Sequence, residues 1–313
     1  MAPGILRAVL RSSRALRTLA WGAVAVGVVV PLARHRLRLR APVVTVLCFQ
    51  APVALALATP RSRPRDAGIY ALQMWAYYAH YDMPDDDPDA LLRRTHVEYP
   101  IAVDRALGRG EIPTARLQRA LGTVGRVRPH DLALSWVHWS WFFAPHGTLA
   151  YVLLRHPGEF PRSATLMATT FDLGLLAYWA VPTAPPWYAG ESGHMPPVRR
   201  IMVEAGEKFW GRLWRPLYDS LEGNPFAAMP SLHFGTSVMA ARVLSDVGSL
   251  PGALGWTYAL TLGFGLVYLG EHYVIDLLAG FALAEAVRRG EPMGGPLLAA
   301  AGRRIQRLEP GAA

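Results

Sequence analysis

The sequence predicts an all-α protein, a polytopic bundle of about six core transmembrane helices with a further hydrophobic helix at the N-terminus. Three features carry that expectation. Hydrophobic residues make up 52% of the 313 residues and charged residues only 18%, against about 25% in soluble domains. Apolar stretches recur, each near the ~20 residues that cross a bilayer. The formal charge of +9 is almost all arginine and falls between those stretches, as positive-inside loops require.

The first apolar stretch, 18–33 (TLAWGAVAVGVVVPLA), is short and flanked by arginines. It has the look of a signal-peptide core, but RHRLRLR follows it where a small-residue cleavage site would stand. It therefore reads as a membrane-embedded or additional spanning helix. A core span follows at 43–58 and contains Cys48, the one cysteine. No intramolecular disulfide is possible, and Cys48 reads as a small core residue. Residues 1–60 thus form a basic, hydrophobic membrane segment.

Residues 61–130 are polar, with two or three short amphipathic helices and a proline-broken acidic loop, YDMPDDDPDA. The main bundle is expected over 131–287, with spans at 131–154, 163–181, 231–247, 250–269 and 272–287. A long loop, 182–229, interrupts it and opens with VPTAPPWYAG, whose prolines end a helix. The tail, 288–313, is basic and polar apart from a short apolar run at 297–301. No basic stripe interleaved with stacking aromatics appears, so the expected partner is the lipid bilayer and no nucleic acid is implied. No protein partner is indicated.

Chemistry-bearing residues gather late in the chain. AMPSLHFGT, 228–236, reads as a helix start: Pro230 suits a first turn, Ser231 can cap or donate, and an apolar run follows. Helix N-termini favour phosphate through unpaired N–H groups and partial positive charge. His233 stands at that point. In GEHYVIDLLAG, His272 and Asp276 are four apart, hence on one helical face where they can touch. EKFWGRLWRP holds Lys208, the single lysine of the chain, seven residues before Arg215–Pro216. Lysine supplies a compact point charge where arginine supplies a planar fork.

Lys208 with Arg215–Pro216, Pro230–Ser231 with His233, and His272 with Asp276 together resemble the type 2 phosphatidic acid phosphatase superfamily of integral-membrane lipid phosphate phosphatases. That signature runs K-x6-R-P, P-S-G-H, then S-R-x5-H-x3-D. The resemblance covers about 208–276 in motifs and 131–287 in architecture. Leu232 replaces the glycine of the second motif, and Gly265–Leu266 stand where the third places Ser–Arg. The form AMPSLHF with GEHYVIDLLAG, preceded by PTAPPW, looks more like the branch of inositol phosphorylceramide synthase and its bacterial relatives.

The resemblance implies that His272 attacks phosphorus and becomes phosphohistidine, while Asp276 holds its other nitrogen. It makes His233 the proton donor to the leaving oxygen and then the base for the incoming water or alcohol. Lys208, Arg215 and Ser231 are implied to grip the phosphate oxygens. Neither metal nor other cofactor is called for. The absent third-motif arginine leaves one phosphate contact to fill, for which Arg212 and Arg242 are candidates. The implied substrate is a phospholipid or polyprenyl phosphate, with phosphoinositol or a similar phospho-alcohol passing to a lipid or alcohol acceptor. A plain phosphatase transferring to water is the alternative. Alternatives of other classes are a non-catalytic membrane scaffold or transporter, and a metal-dependent prenyl transferase using Asp85 and its acidic neighbours.

Chain crossings place the pieces together. The loop carrying Lys208 and Arg215 leads into His233, and the crossings at 231–247 and 250–269 return the chain to the same side at His272. If 18–33 does not fully cross, the arginines of 1–40, Arg155, Arg162 and the tail share the opposite face. The positive-inside rule then makes this a multi-pass cell-membrane protein with an extracytoplasmic site.

Other candidates carry blander readings. ESGH, 191–194, imitates the second motif but MPPVRR follows it, so His194 reads as a loop residue. DDDPD, 85–89, formally offers a Mg²⁺ cluster, but Pro84 and Pro88 break the helix it would need. His138 and His146 lie in the aromatic run SWVHWSWFFAPHG and are candidates for lining a substrate cavity. The Trp and Tyr clusters at 75–81 and 136–141 read as interfacial belts or packing.

Overall fold

A computed structural model describes residues 3–221 and 223–306. The all-α expectation holds: the described residues contain helices and isolated bridges but no strand. In chain order the helices are α1 (Pro3–Ala33), α2 (Ala41–Ala58), α3 (Arg63–Asp82), α4 (Pro88–Arg94), α5 (Glu98–Leu107), α6 (Pro113–Leu121), α7 (Pro129–Ser140) and α8 (Ala144–Arg155). There follow α9 (Phe160–Ala180), α10 (Pro186–Glu191), α11 (Ile201–Trp210), α12 (Trp214–Leu221), α13 (Leu232–Val247), α14 (Ser249–Tyr268) and α15 (Val274–Gln306). Residues 307–313 of the expected tail lie outside the described residues.

Three described segments are long and apolar enough to cross a bilayer by length and composition: Ala15–Ala33, Ala41–Ala58 and Ser249–Tyr268. The stretch first read as short therefore belongs to a longer helix, α1. The spans expected at 163–181, 231–247 and 272–287 fall on α9, α13 and α15. The span expected at 131–154 is broken at 141–143 into α7 and α8. Pro145 lies in the first turn of α8, and its ring and missing N–H disfavour continuation from α7. The segment 61–130 holds four α-helices where two or three were expected. Among them α3 runs 20 residues, started by Ser62, whose hydroxyl accepts from Arg65 N.

The chain divides into two compact units, one taking in residues up to Met83 together with those from Arg289, the other running Pro84–Arg288. In the first, α1, α2 and α3 pack together. Arg34, just past α1, donates to the Ala79 carbonyl at 3.1 Å and pairs with Asp82 at 3.2 Å, closing the end of α3. Cys48 is buried in α2, as a small core residue should be.

In the second unit α13 and α14 form a hairpin, with α8 and α9 against α13 and α7 against α14. A short staple pins the loop that leads into α13. Thr183 is wholly buried between two chain segments. His96 N donates to Pro182 O and Ala184 N to His96 O on one side, both at 2.9 Å. Thr183 N donates to Phe226 O at 2.8 Å on the other. The C-terminal end of α13 carries a charge cluster, where Asp246 accepts from Arg162 at 2.8 Å and from Arg288 at 2.7 Å.

Arg242 pairs with Glu285 at 2.6 Å, and Glu285 is largely buried. Breaking one side of such a pair strands the other charge. Arg242→Met should therefore destabilise the protein by about 1–3 kcal/mol. The double variant Arg242→Met/Glu285→Met should recover most of that loss in thermal unfolding of the detergent-solubilised protein.

Candidate active site

Two chain turns build the site. At the first, Pro230 precedes the helix and is not part of its first turn, since Ser231 is the N-cap and its hydroxyl accepts from Phe234 N at 3.3 Å. The Met229–Pro230 peptide is cis. Tyr178, reaching from α9, donates its hydroxyl to Pro230 O at 2.9 Å and accepts from Leu232 N at 3.2 Å. These first-turn amides are engaged within the protein and are not presented to a phosphate. Leu232 has a local reason to replace glycine: its side chain fills a notch at Gly174 of α9, where a Cβ would fall 2.4 Å from Leu232 Cδ2.

The second turn ends α14. Gly270 has φ +89°, and a Cβ there would lie 2.5 Å from Arg199 O, so only glycine fits this left-handed cap. Glu271 N and His272 N turn back to Leu266 O at 3.0 and 3.2 Å. Helix α15 then begins with its first N–H groups met by carboxylates. Tyr273 N donates to Asp276 Oδ2 at 2.9 Å, while Val274 N and Ile275 N both donate to Asp104 at 2.9 Å. Asp104, wholly buried on α5, is a cap supplied from a distant segment. The two turns meet where Ser231 N donates to Asp276 O at 2.9 Å.

This framework brings His233, His272 and Asp276 together. His272 Nδ1 lies 3.2 Å from Asp276 Oδ2, and His272 Nε2 lies 3.2 Å from His233 Nδ1. With Asp276 as the ionised carboxylate, which only accepts, and His272 as the neutral ring, Nδ1 of His272 carries the proton and its Nε2 is bare. The hydrogen bond between the rings then requires His233 Nδ1 to be the donor. A bare nitrogen of His272 thus faces the N–H of His233, with the Asp276 carboxylate on the far side of the His272 ring. Trp141 covers His233 at 4.2 Å between ring centroids, and His138 stands edge-on to it at 4.9 Å.

The expected phosphate grips are placed differently. Ser231 is buried as the cap of α13. Lys208 donates to Val127 O at 2.9 Å, Arg215 pairs with Glu207 at 3.1 Å, and both cations are exposed. Neither is hydrogen-bonded to the histidine cluster. Arg212 is exposed in the turn before α12. Arg242, engaged with Glu285, lies about 13 Å along α13 from His233 at 1.5 Å per residue. The third-motif position is core: Leu266 is wholly buried against Leu262, Val267 and Leu277.

Arg200, which the sequence reading did not single out, stands near the second turn. Arg200 stacks on Trp187 at 3.8 Å, bonds the Tyr218 hydroxyl, and holds its Nε 3.5 Å from Glu271, the neighbour of His272. It also lies within electrostatic reach of His138. Gln118 positions it. Its amide donates to Arg199 O at 2.8 Å and Tyr268 O at 2.9 Å and accepts from Arg199 N at 2.8 Å. The guanidinium of Arg199 is meanwhile occupied by Glu204 and by the Thr123 and Arg126 carbonyls. Its only trace in the sequence is the Arg199–Arg200 pair ahead of α11.

The other histidines divide. His194 pairs with Glu98 at 2.5 Å on the surface, as a loop residue would. His146 is exposed and stacks on Phe171 at 5.9 Å. In the acidic loop, Asp87 caps α4 by accepting from Ala90 N at 3.0 Å, and the side chain of Asp85 lies outside the described residues. Among the described residues no group of three or more His, Cys, Asp or Glu is disposed to hold a metal ion.

A family model described as the PAP2 superfamily matches residues 114–288. That stretch is more than half of the chain and contains both turns, both histidines and Asp276. The chain belongs to the PAP2 superfamily. Gln118 and Arg200 lie within the PAP2 match and Asp104 before it. The chain is also similar to the inositol phosphorylceramide synthase catalytic subunit aur1 of Schizosaccharomyces pombe, 31% identical over 133 residues, which cover 41% of this chain and 32% of that protein. The phosphoinositol dihydroceramide synthase of Bacteroides thetaiotaomicron is 32% identical over 125 residues, 36% of this chain and 39% of that protein. An inositol phosphorylceramide synthase of Candida albicans is 32% identical over 122 residues, 37% and 26% of the two chains. Each alignment thus spans well under half of the relative. No solved structure matches the chain.

Burial raises the pKa of Asp104 above the ordinary carboxylate range, against the pull of the Val274 and Ile275 N–H groups. A raised value means that the folded protein holds this proton more tightly than the unfolded chain does. The contribution is full below the ordinary range and is lost as pH climbs through the raised value. Asp104→Asn should flatten that decline in a stability–pH series. Asp104→Leu should cost about 1–3 kcal/mol for each amide it orphans, with a matching fall in melting temperature. Gly174→Val should press on Leu232 and move the start of α13. It is expected to cost about 1–3 kcal/mol in the same assay.

Proposed function

We propose that the chain is a membrane-embedded enzyme acting on lipid phosphate head groups through a phosphohistidine, and that it transfers phosphoinositol or a similar phospho-alcohol to a lipid or alcohol acceptor. The observation that carries this reading is the contact of His272 Nε2 with His233 Nδ1 at 3.2 Å while His272 Nδ1 lies 3.2 Å from Asp276 Oδ2. In the first step the Nε2–phosphorus bond forms and the bond from phosphorus to the lipid oxygen breaks. His233, entering this step as the imidazolium, gives a proton to that oxygen, which leaves as the lipid alcohol, and is left neutral to act as base. The rings part to admit the phosphorus between them. In the second step the acceptor oxygen bonds phosphorus, the Nε2–phosphorus bond breaks, and the acceptor's proton returns to His233.

Charge on the phosphoryl oxygens needs a fixed cation. Arg200 takes that role in this reading, with its guanidinium held by Trp187, Tyr218 and Glu271. Lys208 and Arg215 would first have to leave Val127 and Glu207. The names of the three relatives favour phosphoinositol as the transferred group and a ceramide-type lipid as the acceptor. Within the Pro84–Arg288 unit, the Arg162–Asp246–Arg288 cluster lies about 20 Å along α13 from His233 at 1.5 Å per residue. Read by the positive-inside rule, the arginines at that end would face the cytoplasm and the site would open on the extracytoplasmic side of the cell membrane.

The purified protein, given phosphatidylinositol with a radiolabelled phosphate and dihydroceramide, should transfer the label to the acceptor. Before acceptor is added, acid-labile, base-stable label should appear on the protein and be absent from His272→Ala. Arg200→Ala should lose about 100-fold in rate, as the removal of a transition-state donor does, while Lys208→Ala stays within a few-fold of wild type. Release of free phosphate from a lipid phosphate with no transferred product would refute the transferase reading.

A further inference from the structure

Helix α11 starts where a helix long and apolar enough to cross the bilayer ends. That helix is α14, Ser249–Tyr268. Ile201 N, at the first residue of α11, donates to Leu269 O just past the end of α14 at 3.1 Å. Tyr268 and Leu269 are buried in one cluster with Ile201 and Met202 of α11 and Trp214 of α12. The elbow formed by α11 and α12 therefore stands at the level where α14 leaves the hydrocarbon, among the lipid head groups. Its inner side is filled by Trp214, but its outer side carries large apolar side chains in the open. Phe209 is 50% exposed and Leu213 71% exposed. Lys208 and Arg212, each next to one of them in the chain, are exposed cations. The turn before α7 continues this surface. Lys208 donates to Val127 O in that turn at 2.9 Å, and the same turn holds Val124, 90% exposed, and the exposed Arg126. Arg215 is neutralised by Glu207 at 3.1 Å, whereas Arg126 and Arg212 have no acidic partner among the described residues.

We propose that the elbow and the 123–128 turn form a docking surface for the anionic phospholipid head groups of the leaflet in which α14 ends. The pairing of apolar side chains with fixed cations suits that boundary. The apolar groups enter the edge of the acyl region, and the cations meet the negative charge of the lipid phosphates. The ligand class is a phospholipid with net negative charge, as opposed to a zwitterionic one. Helix α11 follows directly on Arg200, so the helix that rests on the head groups has the cation of the site at its other end. Lys208 stands about 12 Å along the helix from Arg200 at 1.5 Å per residue. On the phosphotransferase reading above, the surface gathers the anionic donor lipid beside Arg200; the docking itself does not need that reading.

The test places a fluorophore on the elbow of the full-length protein. Leu213→Cys is labelled with nitrobenzoxadiazole in a Cys48→Ala background, which removes the one native cysteine. The protein is reconstituted into vesicles of phosphatidylcholine mixed with phosphatidylglycerol. A nitroxide near the glycerol end of the acyl chain is carried either by the phosphatidylglycerol or, at equal content, by the phosphatidylcholine. The quantity read is the ratio of quenching by the two. It should exceed about twofold in favour of phosphatidylglycerol, as a few cations at a lipid surface produce, and should fall as salt is raised. The variant Arg126→Gln/Lys208→Gln/Arg212→Gln, which keeps a donor for Val127 O, should bring the ratio close to one. A ratio near one without these substitutions overturns the proposal, as does a preference that survives them. Absence of quenching by either lipid also overturns it. Self-quenching that grows with protein density would then assign the surface to a second copy of the chain. No turnover enters the measurement, so a failure of the transferase reading would leave this result standing, and a ratio near one would leave that reading untouched.

Discussion

The bond from His272 Nδ1 to Asp276 Oδ2 is the constraint on which the site depends. It decides which nitrogen of His272 is bare, and through the ring-to-ring contact it decides which nitrogen of His233 carries a proton. His233 in the first turn of α13 must then meet His272, just before α15, with that orientation kept. The backbone serves this end. Asp276 accepts from Tyr273 N through its side chain and from Ser231 N through its carbonyl, so one residue ties the His272 turn to the start of α13.

A polar cluster among apolar helices is costly unless its members are bonded. The described structure meets that cost with side chains that each span two segments. Tyr178 holds Pro230 and Leu232, Asp104 holds the first amides of α15, and Gln118 ties Arg199 to the end of α14. The cation is handled likewise. Leu266 fills the position where the parent signature has arginine, and Arg200 reaches the same neighbourhood from the loop before α11. In this chain the helix position is core, and a cation stands on a segment that aromatic rings hold in place.

What was legible in the sequence follows from distance along the chain. His272 and Asp276 are four apart and Ser231–Leu232–His233 open a helix, so local periodicity finds them. Asp104 meets Val274 across 170 residues and Gln118 meets Arg199 across 81, separations at which spacing carries no signal. Hydropathy read 131–154 as one span because a window average does not register a three-residue break beside Pro145. The rarity of Lys208 drew attention for compositional reasons, yet rarity says nothing of position, and its ammonium rests on Val127 O. Leu232 looked like a defect in a motif until Gly174 of α9 supplied the notch it fills.

The most direct test of the account is the protonation of the His272 ring, which nitrogen NMR of histidine-labelled protein in bilayers reports, with His272→Asn to assign the signal. The account predicts a protonated Nδ1 and a bare Nε2 that receives a hydrogen bond from His233. A His272 ring with its proton on Nε2 and a bare Nδ1 would contradict it, because that ring has no lone pair directed at phosphorus.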